Sequence, residues 1–167
     1  MAQDGAAKVN EREVAWDEER SPKGTYESRY REVSRLLTAS PRTEVREGRY
    51  PPTRPFEVDL VRIPPHATLC PRHAHSAQWE YYIVLSGSGR MLQDGDAIPM
   101  APGDHLIQPP GWVHTVQNDS EEELLYYVIA DNPNGESVYY PDSQKWAFWP
   151  PYKLFRMVET DYLDGEE

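Results

Sequence analysis

The fold is decided by residues 73–118, HAHSAQWEYYIVLSGSGRMLQDGDAIPMAPGDHLIQPPGWVHTVQN. Short apolar or aromatic runs alternate there with turn residues. One run covers 79–85 and stops at 86–89, and a second covers 90–93 and stops at Asp94-Gly95. An Asp-Gly pair between two such runs is a strong indication of a β-hairpin turn. The stretch therefore predicts short antiparallel strands that are joined by tight turns.

The same pattern extends to both sides of this stretch. Phe56, Val58 and Leu60 alternate with residues of the opposite face, which predicts a half-buried strand. No stretch resembles a long helix, so we expect an all-β, single-domain sandwich or barrel. Further short runs, each bounded by Gly, Pro, Asn or Asp, lie at 97–100, 105–108, 113–117 and 124–130.

Three segments follow from this pattern. Residues 1–54 are expected to form an N-terminal arm and lead-in segment, of which 1–22 are polar and read as a partly disordered arm. Within it, residues 26–37 fit a helix or a strand equally well. Residues 55–131 form the predicted barrel, and 132–167 form an aromatic C-terminal extension that we expect to pack on the barrel or on a partner subunit.

Composition limits the classes of function. The 167 residues include 28 acids and 17 bases, for a net charge of −11, which argues against a nucleic acid or an anionic membrane as the main partner. Twelve of the acids lie in residues 119–167. The sequence shows no apolar run of about 18 residues and no apolar secretion segment at its start, so we predict a cytoplasmic protein.

Four residues in the central stretch form a candidate metal site. His73 and His75 are two positions apart, so they point to the same face of a strand. Glu80 is five positions past His75, which is an odd offset, so the chain must turn at 76–78 for the two to meet. His114 follows a Pro-Pro-Gly turn that can direct a strand end inward. Three imidazoles and one carboxylate suit a divalent Fe, Mn, Ni, Zn or Cu ion, and the spacing does not choose among them.

The motifs that contain these residues resemble those of the cupin superfamily. The first is His73-x-His75-x4-Glu80-x6-Gly87. The second is Gly103-x5-Pro109-x-Gly111-x2-His114-x3-Asn118, which matches the family pattern at every defined position. One departure is Ala67, which stands where the family usually has a glycine. The resemblance covers roughly residues 56–131 and is closest to small single-domain bacterial cupins.

The resemblance implies a fold and a ligand set. The fold is a double-stranded β-helix, or jelly-roll barrel, with one divalent transition metal in its mouth. The family's ligands correspond to His73, His75, Glu80 and His114. If Glu80 points inward, alternation along the strand also turns Tyr82 inward, where it could fill the barrel or donate a hydrogen bond to a substrate.

Three functions suit such a site. We expect a metal-dependent enzyme that acts on a small, oxygen-rich molecule by Lewis-acid chemistry, as an isomerase, lyase or decarboxylase. The alternatives are an Fe-dependent dioxygenase and a non-catalytic cupin that binds a metal or a small ligand. Cupins commonly pair through sheet edges, so the N-terminal arm and the tyrosines expected on the outer surface predict a homodimer; these tyrosines are Tyr81 and either Tyr126 or Tyr127.

Overall fold

The computed structural model describes residues 8–34, 56–133, 135–148 and 153–166, and these form an almost entirely β structure. The prediction of an all-β fold is therefore confirmed. A 3₁₀ turn at Glu11–Glu13 precedes the strands. The strands are β1 (Asp17–Arg20), β2 (Glu27–Glu32), β3 (Phe56–Ile63), β4 (Ala74–His75), β5 (Glu80–Ser86), β6 (Gly89–Gln93), β7 (Asp96–Met100), β8 (His105–Gln108), β9 (His114–Gln117), β10 (Leu124–Asp131), β11 (Ser137–Tyr140), β12 (Lys145–Phe148) and β13 (Lys153–Phe155).

The strands form two sheets that face each other and a third at one end. The large sheet has the order β1-β2-β3-β10-β5-β8, and the small sheet facing it has the order β7-β6-β9. The third sheet, β13-β12-β11-β4, joins the C-terminal strands to the barrel. Side chains from both facing sheets build one buried cluster, which explains the barrel shape. Its members are Val61, Ile63, Ala67, Tyr82, Val84, Met91, Met100, Val116, Leu124 and Tyr126.

The hairpin predicted at Asp94-Gly95 joins β6 to β7. Both turn residues have a positive φ, 47° at Asp94 and 97° at Gly95. Such a pair matches the twist of the two flanking strands and is the reason that Asp-Gly is favoured there. Gln93 and Asp96 accordingly pair directly across the turn.

The strand predicted near Phe56 is β3, and the face that it turns to the core cluster is the one opposite to Phe56. Val61 and Ile63 belong to the core cluster, whereas Phe56 at the strand's start is exposed. Leu60 is also buried, on the opposite face of this strand, which pairs with β2 along one edge and with β10 along the other.

The expectation of a partly disordered arm is wrong for Asp17–Arg20. These residues form β1, the edge strand of the large sheet, and Asp17 pairs with Tyr30 of β2. The helix-or-strand ambiguity of residues 26–37 resolves to a strand at Glu27–Glu32, because Tyr30 packs against the core cluster from within the sheet. Residues 35–37 of that prediction lie outside the described residues.

The sequence left open whether Tyr126 or Tyr127 faces outward, and the structure resolves this to Tyr127. Along β10, Leu124, Tyr126 and Val128 share the inward face, and Tyr126 is fully buried. Tyr127 takes the opposite face, where its hydroxyl donates a hydrogen bond to the Glu11 carboxylate. The pleat of a strand sends neighbouring residues to opposite faces, so one of the two tyrosines had to be buried.

The C-terminal segment lies against the candidate site. β11 pairs with β4, with Val138 opposite His75 and Tyr139 opposite Ala74. Outside the strands, Arg72 and Asp142 form a two-bond ion pair that links the barrel to the loop after β11. Trp149 and Tyr152 of the aromatic segment fall outside the described residues. Within the described part of the chain, no helix has the length and apolar character needed to cross a membrane.

Candidate metal centre

Three short stretches of backbone bring the four predicted ligands together. His73 and His114 form an antiparallel bridge in which each backbone N–H donates to the other residue's carbonyl, at 3.0 and 2.8 Å. His75 ends β4, and Glu80 begins β5 on the far side of the 76–78 turn. The turn that the odd His75–Glu80 offset required is therefore present.

The ligand atoms of His73, His75, Glu80 and His114 all lie within 4.8 Å of one another, so the group could hold a metal ion. His114 Nε2 is 2.7 Å from Glu80 Oε2, and His75 Nε2 is 3.7 Å from Glu80 Oε1. His114 is almost completely buried, and the other three side chains are partly buried. The structure thus brings together every residue of the predicted ligand set.

In two of the imidazole rings, the nitrogen that faces the site lacks a hydrogen-bond partner among the described residues. Nε2 of His75 and Nε2 of His114 are buried and make no well-aligned hydrogen bond with any described residue. The close approach of His114 Nε2 to Glu80 is therefore not a properly directed hydrogen bond. Buried polar atoms are nearly always satisfied in native proteins, and a shared cation would satisfy both nitrogens at once. The residues present fit a divalent metal.

The other ring nitrogen of each histidine has an acceptor. Nδ1 of His73 lies 3.0 Å from the Pro71 carbonyl, and Nδ1 of His114 lies 3.3 Å from the Trp112 carbonyl. Nδ1 of His75 lies 3.2 Å from a carboxylate oxygen of Glu136. Carbonyl and carboxylate oxygens only accept hydrogen bonds, so Nδ1 carries the proton in each ring. That tautomer leaves Nε2 free to coordinate a metal, as in known histidine metal sites.

Glu80 is held in its ionised form. Burial alone would raise the pKa of its carboxyl group, but His114, together with His75 and His73, lowers the pKa to about 2. The Tyr82 hydroxyl donates a 2.8 Å hydrogen bond to Glu80 Oε2. Tyr82 does turn inward as predicted. Its hydroxyl already donates to the Glu80 carboxylate, so Tyr82 supports a proposed ligand instead of facing a substrate.

Burial also keeps the other nearby groups neutral. It lowers the pKa of His114 despite the neighbouring Glu80, so the ring is available as a neutral ligand. It raises the pKa of the Cys70 thiol to about 12, and this thiol lies 3.6 Å from His73 Nδ1. The lone cysteine therefore stays a protonated thiol beside the site.

Two residues beside the ligands were not indicated by the sequence. Glu136 reaches His75 from 61 positions away, through the pairing of β11 with β4, which no local pattern reveals. Gln108 pairs with Glu80 across β5 and β8, and its Nε2 donates to the Trp112 carbonyl, which also accepts from His114. Only its place next to the Pro-Pro-Gly turn could have drawn attention to Gln108.

The barrel segment matches a known protein family. The family model of the cupin domain matches residues 59–130. Glucose-6-phosphate isomerase from Pyrococcus horikoshii is 39% identical over 62 residues, which are 34% of this chain and 33% of that protein. The oxalate-binding protein from Thermotoga maritima is 25% identical over 69 residues, 41% of this chain and 56% of that protein. The match thus spans about a third of the isomerase and about half of the oxalate-binding protein.

The whole fold also has a counterpart among solved structures. A sugar phosphate isomerase of the cupin superfamily from Silicibacter pomeroyi superposes with a TM-score of 0.70, covering 89% of this chain and 92% of that one at 21% identity. This agreement extends over the barrel and the strands on either side of it. The family match thus identifies residues 59–130 as a cupin domain, and the superposition shows that the chain has the corresponding jelly-roll fold.

Proposed function

We propose that this protein is a metal-dependent isomerase of a small sugar-like substrate. His73, His75, Glu80 and His114 are the proposed ligands of one divalent transition metal. The observation that carries the proposal is the convergence of these four side chains within 4.8 Å, with unpaired buried Nε2 atoms on two of the rings. A metal bound there supplies a Lewis acid that polarises a carbonyl or hydroxyl oxygen of a substrate.

The chain's own residues prepare the site for that chemistry. The three Nδ1 hydrogen bonds fix the imidazole rings before any metal arrives, so little ordering remains to be done on binding. The Tyr82 hydroxyl fixes the Glu80 carboxylate in the same way. Glu80 also supplies one negative charge, which partly balances a divalent cation and leaves it a net positive charge toward an oxygen ligand.

Isomerisation is favoured among the Lewis-acid reactions by the similarity of the chain to an isomerase. The Pyrococcus horikoshii protein is a glucose-6-phosphate isomerase, and 39% of the matched residues are the same. Aldose–ketose interconversion moves hydrogen between neighbouring carbons and changes no oxidation state overall, so it needs neither O2 nor a redox cofactor. A redox-inert divalent ion is therefore sufficient.

A second candidate function is metal-dependent binding of a small dicarboxylate without turnover. The observation that favours it is the 25% identity to the oxalate-binding protein from Thermotoga maritima, over more than half of that protein. The same four ligands would serve, because a carboxylate oxygen can take an open coordination position as well as a sugar hydroxyl can.

An assay under anaerobic conditions separates these functions. Protein loaded with Mn(II), Fe(II) or Zn(II) is incubated with fructose, fructose 6-phosphate or oxalate, and the products are followed by proton NMR. We expect conversion of a ketose to an aldose, loss of this activity in a chelator, and loss of it in His73→Ala. Binding of oxalate by calorimetry with no ketose conversion would replace the isomerase by the binding function. The same incubations are repeated in air, and a product that forms only there would overturn both in favour of a dioxygenase.

A further inference from the structure

Glu136 occupies an unusual position for a carboxylate. It lies just before β11 in the C-terminal segment, and its side chain is about nine-tenths buried against the 76–78 turn of the barrel. Five groups point at its two oxygens, and all of them can donate hydrogen bonds. They are His75 Nδ1 at 3.2 Å, the backbone N–H groups of Ser76, Ala77 and Gln78 at 3.0 Å each, and the Ser76 hydroxyl at 3.4 Å.

The three backbone contacts determine the shape of the turn. Ser76, Ala77 and Gln78 are consecutive, and their N–H groups converge on one carboxylate; the Ser76 N–H is shared with the Ser137 carbonyl, at 2.8 Å. Successive N–H groups that point to one side form a concave anion site, and without the carboxylate those of Ala77 and Gln78 would lose their acceptor. The Glu136 carboxylate fills this site. It therefore stabilises the turn that brings Glu80 next to His75 despite their odd spacing.

The fourth contact determines the state of the His75 ring. Glu136 Oε1 accepts from both the Ser76 N–H and His75 Nδ1, so an acceptor faces Nδ1 in the folded chain. A neutral imidazole with its proton on Nδ1 presents a lone pair at Nε2, toward the other ligands. The opposite tautomer would place a proton at Nε2 and leave two lone pairs facing each other at Nδ1.

We propose that Glu136 is a positioning residue of the metal centre, which holds His75 in the Nδ1–H tautomer and fixes the turn between two of the ligands. The proposal rests on the proposed function in that the four-residue group binds a metal. The C-terminal segment then forms part of the site, because its Glu136 carboxylate orders His75 and the 76–78 turn.

The first test uses metal-free protein and does not depend on metal binding. Histidine labelled with nitrogen-15 reports by NMR which ring nitrogen carries the proton, and the His75 resonances are assigned by their loss in His75→Asn. In the wild type we expect the Nδ1–H tautomer at His75. Glu136→Gln replaces one acceptor oxygen by an NH2 donor, so we expect a mixture or the Nε2–H tautomer. An Nε2–H tautomer in the wild type would overturn the proposal without any variant.

The matched control for this substitution is Glu121→Gln. Glu121 Oε2 lies 3.2 Å from Nε2 of His66 on the exposed surface, so the same chemical change is made beside an exposed histidine that is not one of the proposed ligands. We expect no change at His75 in this variant. An equal change at His75 in both variants would contradict a specific role for Glu136.

The second test measures cobalt affinity by titration with Co(II), whose visible absorption reports both occupancy and ligand geometry. Removal of a residue that hydrogen-bonds to a metal-binding histidine typically weakens metal binding 10- to 100-fold. We expect a loss of affinity in this range for Glu136→Gln, together with an altered spectrum. Asp142→Asn breaks the Arg72 ion pair of the same segment and controls for its docking. Equal Co(II) affinity in wild type and Glu136→Gln would refute the positioning role, whereas absence of Co(II) binding by the wild type would refute the metal site itself.

Discussion

At the scale of single residues, two neighbouring tyrosines in the core differ in what their hydroxyls do. The rings of Tyr82 and Tyr126 lie 5.6 Å apart, and both side chains are almost completely buried. The Tyr82 hydroxyl donates to Glu80, while the Tyr126 hydroxyl has no hydrogen-bond partner among the described residues. The same ring thus serves packing at one position and orients a ligand at the other.

This difference predicts opposite results for two identical substitutions. Tyr82→Phe keeps the ring but removes a hydrogen bond to a charged group, so we expect a loss of about 1.5–3 kcal/mol in the free energy of unfolding and weaker metal binding. Tyr126→Phe removes a buried, unpaired hydroxyl, so stability should be unchanged or higher. Urea denaturation and metal titration of both variants check this. A greater loss in Tyr126→Phe would contradict the assignment.

The four proposed ligands could be selected from the sequence, but the residues that hydrogen-bond to them could not. His73, His75, Glu80 and His114 lie within two short motifs that resemble those of the cupins, whereas strand alternation alone places only His73 and His75 on one face. Glu136 is brought to His75 by the register of β11 on β4, which depends on long-range pairing of the whole chain. The hydrogen bond from Tyr82 to Glu80 needed a side-chain orientation that alternation alone leaves open.

At the scale of secondary-structure elements, the turn between β5 and β6 depends on close backbone contact. Gly87 has a φ of +74°, and a Cβ atom there would lie 2.1 Å from the carbonyl oxygen of Glu123. This carbonyl immediately precedes β10, so the glycine allows the turn to sit against the start of a core strand. Glycine is therefore favoured at this motif position both by its positive φ and by the close packing against Glu123.

Gly87→Ala should consequently be much more harmful than Gly103→Ala. Both glycines have a positive φ, so each substitution carries about 1–2 kcal/mol of backbone strain. Only at Gly87 does the new methyl group collide with backbone, which adds about 1–3 kcal/mol of overpacking, whereas nothing lies within 4 Å of a Cβ at Gly103. Thermal unfolding of the two variants measures the difference. Equal destabilisation would show that contact with Glu123 is unimportant.

Strands bounded by strong turn residues were predictable, and those without such bounds were not. The β6–β7 hairpin follows from Asp94-Gly95, whose positive φ angles few other pairs accept. β1 is DEER, with no apolar residue, and nothing local identifies it as a strand. It forms because β2 offers a sheet edge, and ion pairs such as Arg29 with Glu18 and Arg20 with Glu27 accompany the pairing.

At the scale of the whole molecule, the outer face of the large sheet remains partly apolar. Tyr81, Leu85 and Ile107 are exposed there by about two fifths or more, and Tyr81 pairs directly with Ile107 across β5 and β8. Neighbouring exposed apolar side chains on one sheet face are typical of an interface. Because Tyr126 is buried, we assign the interface of the predicted homodimer to these exposed residues.

We predict a homodimer that dissociates when this face is charged. Light scattering coupled to size exclusion should give twice the chain mass of 19.3 kDa for the wild type and a single chain mass for Ile107→Lys. Ile98→Lys, at an exposed position of the small sheet, is the control and should remain dimeric. A monomeric wild type would refute the prediction.

Metal binding should also stabilise the whole fold, because the ligands join strands β4, β5 and β9. A ligand that binds only the folded state adds about 2.7 kcal/mol at a free concentration 100 times its Kd. We therefore expect a chelator to lower Tm by roughly 5–10 °C for a chain of this size. The Tm of Glu80→Ala should not respond to chelator. Wild-type unfolding that is insensitive to chelator and to added metal would count against the site.

If these four side chains hold one metal ion, the metal content of the purified protein depends on each of them. Elemental analysis by mass spectrometry is applied to the wild type, His73→Ala and Glu80→Ala after identical purification, with the surface variant His66→Ala as control. We expect about one transition-metal ion per chain in the wild type and in His66→Ala, and a small fraction of that in the two ligand variants. Metal content that is the same in all four proteins would contradict this site.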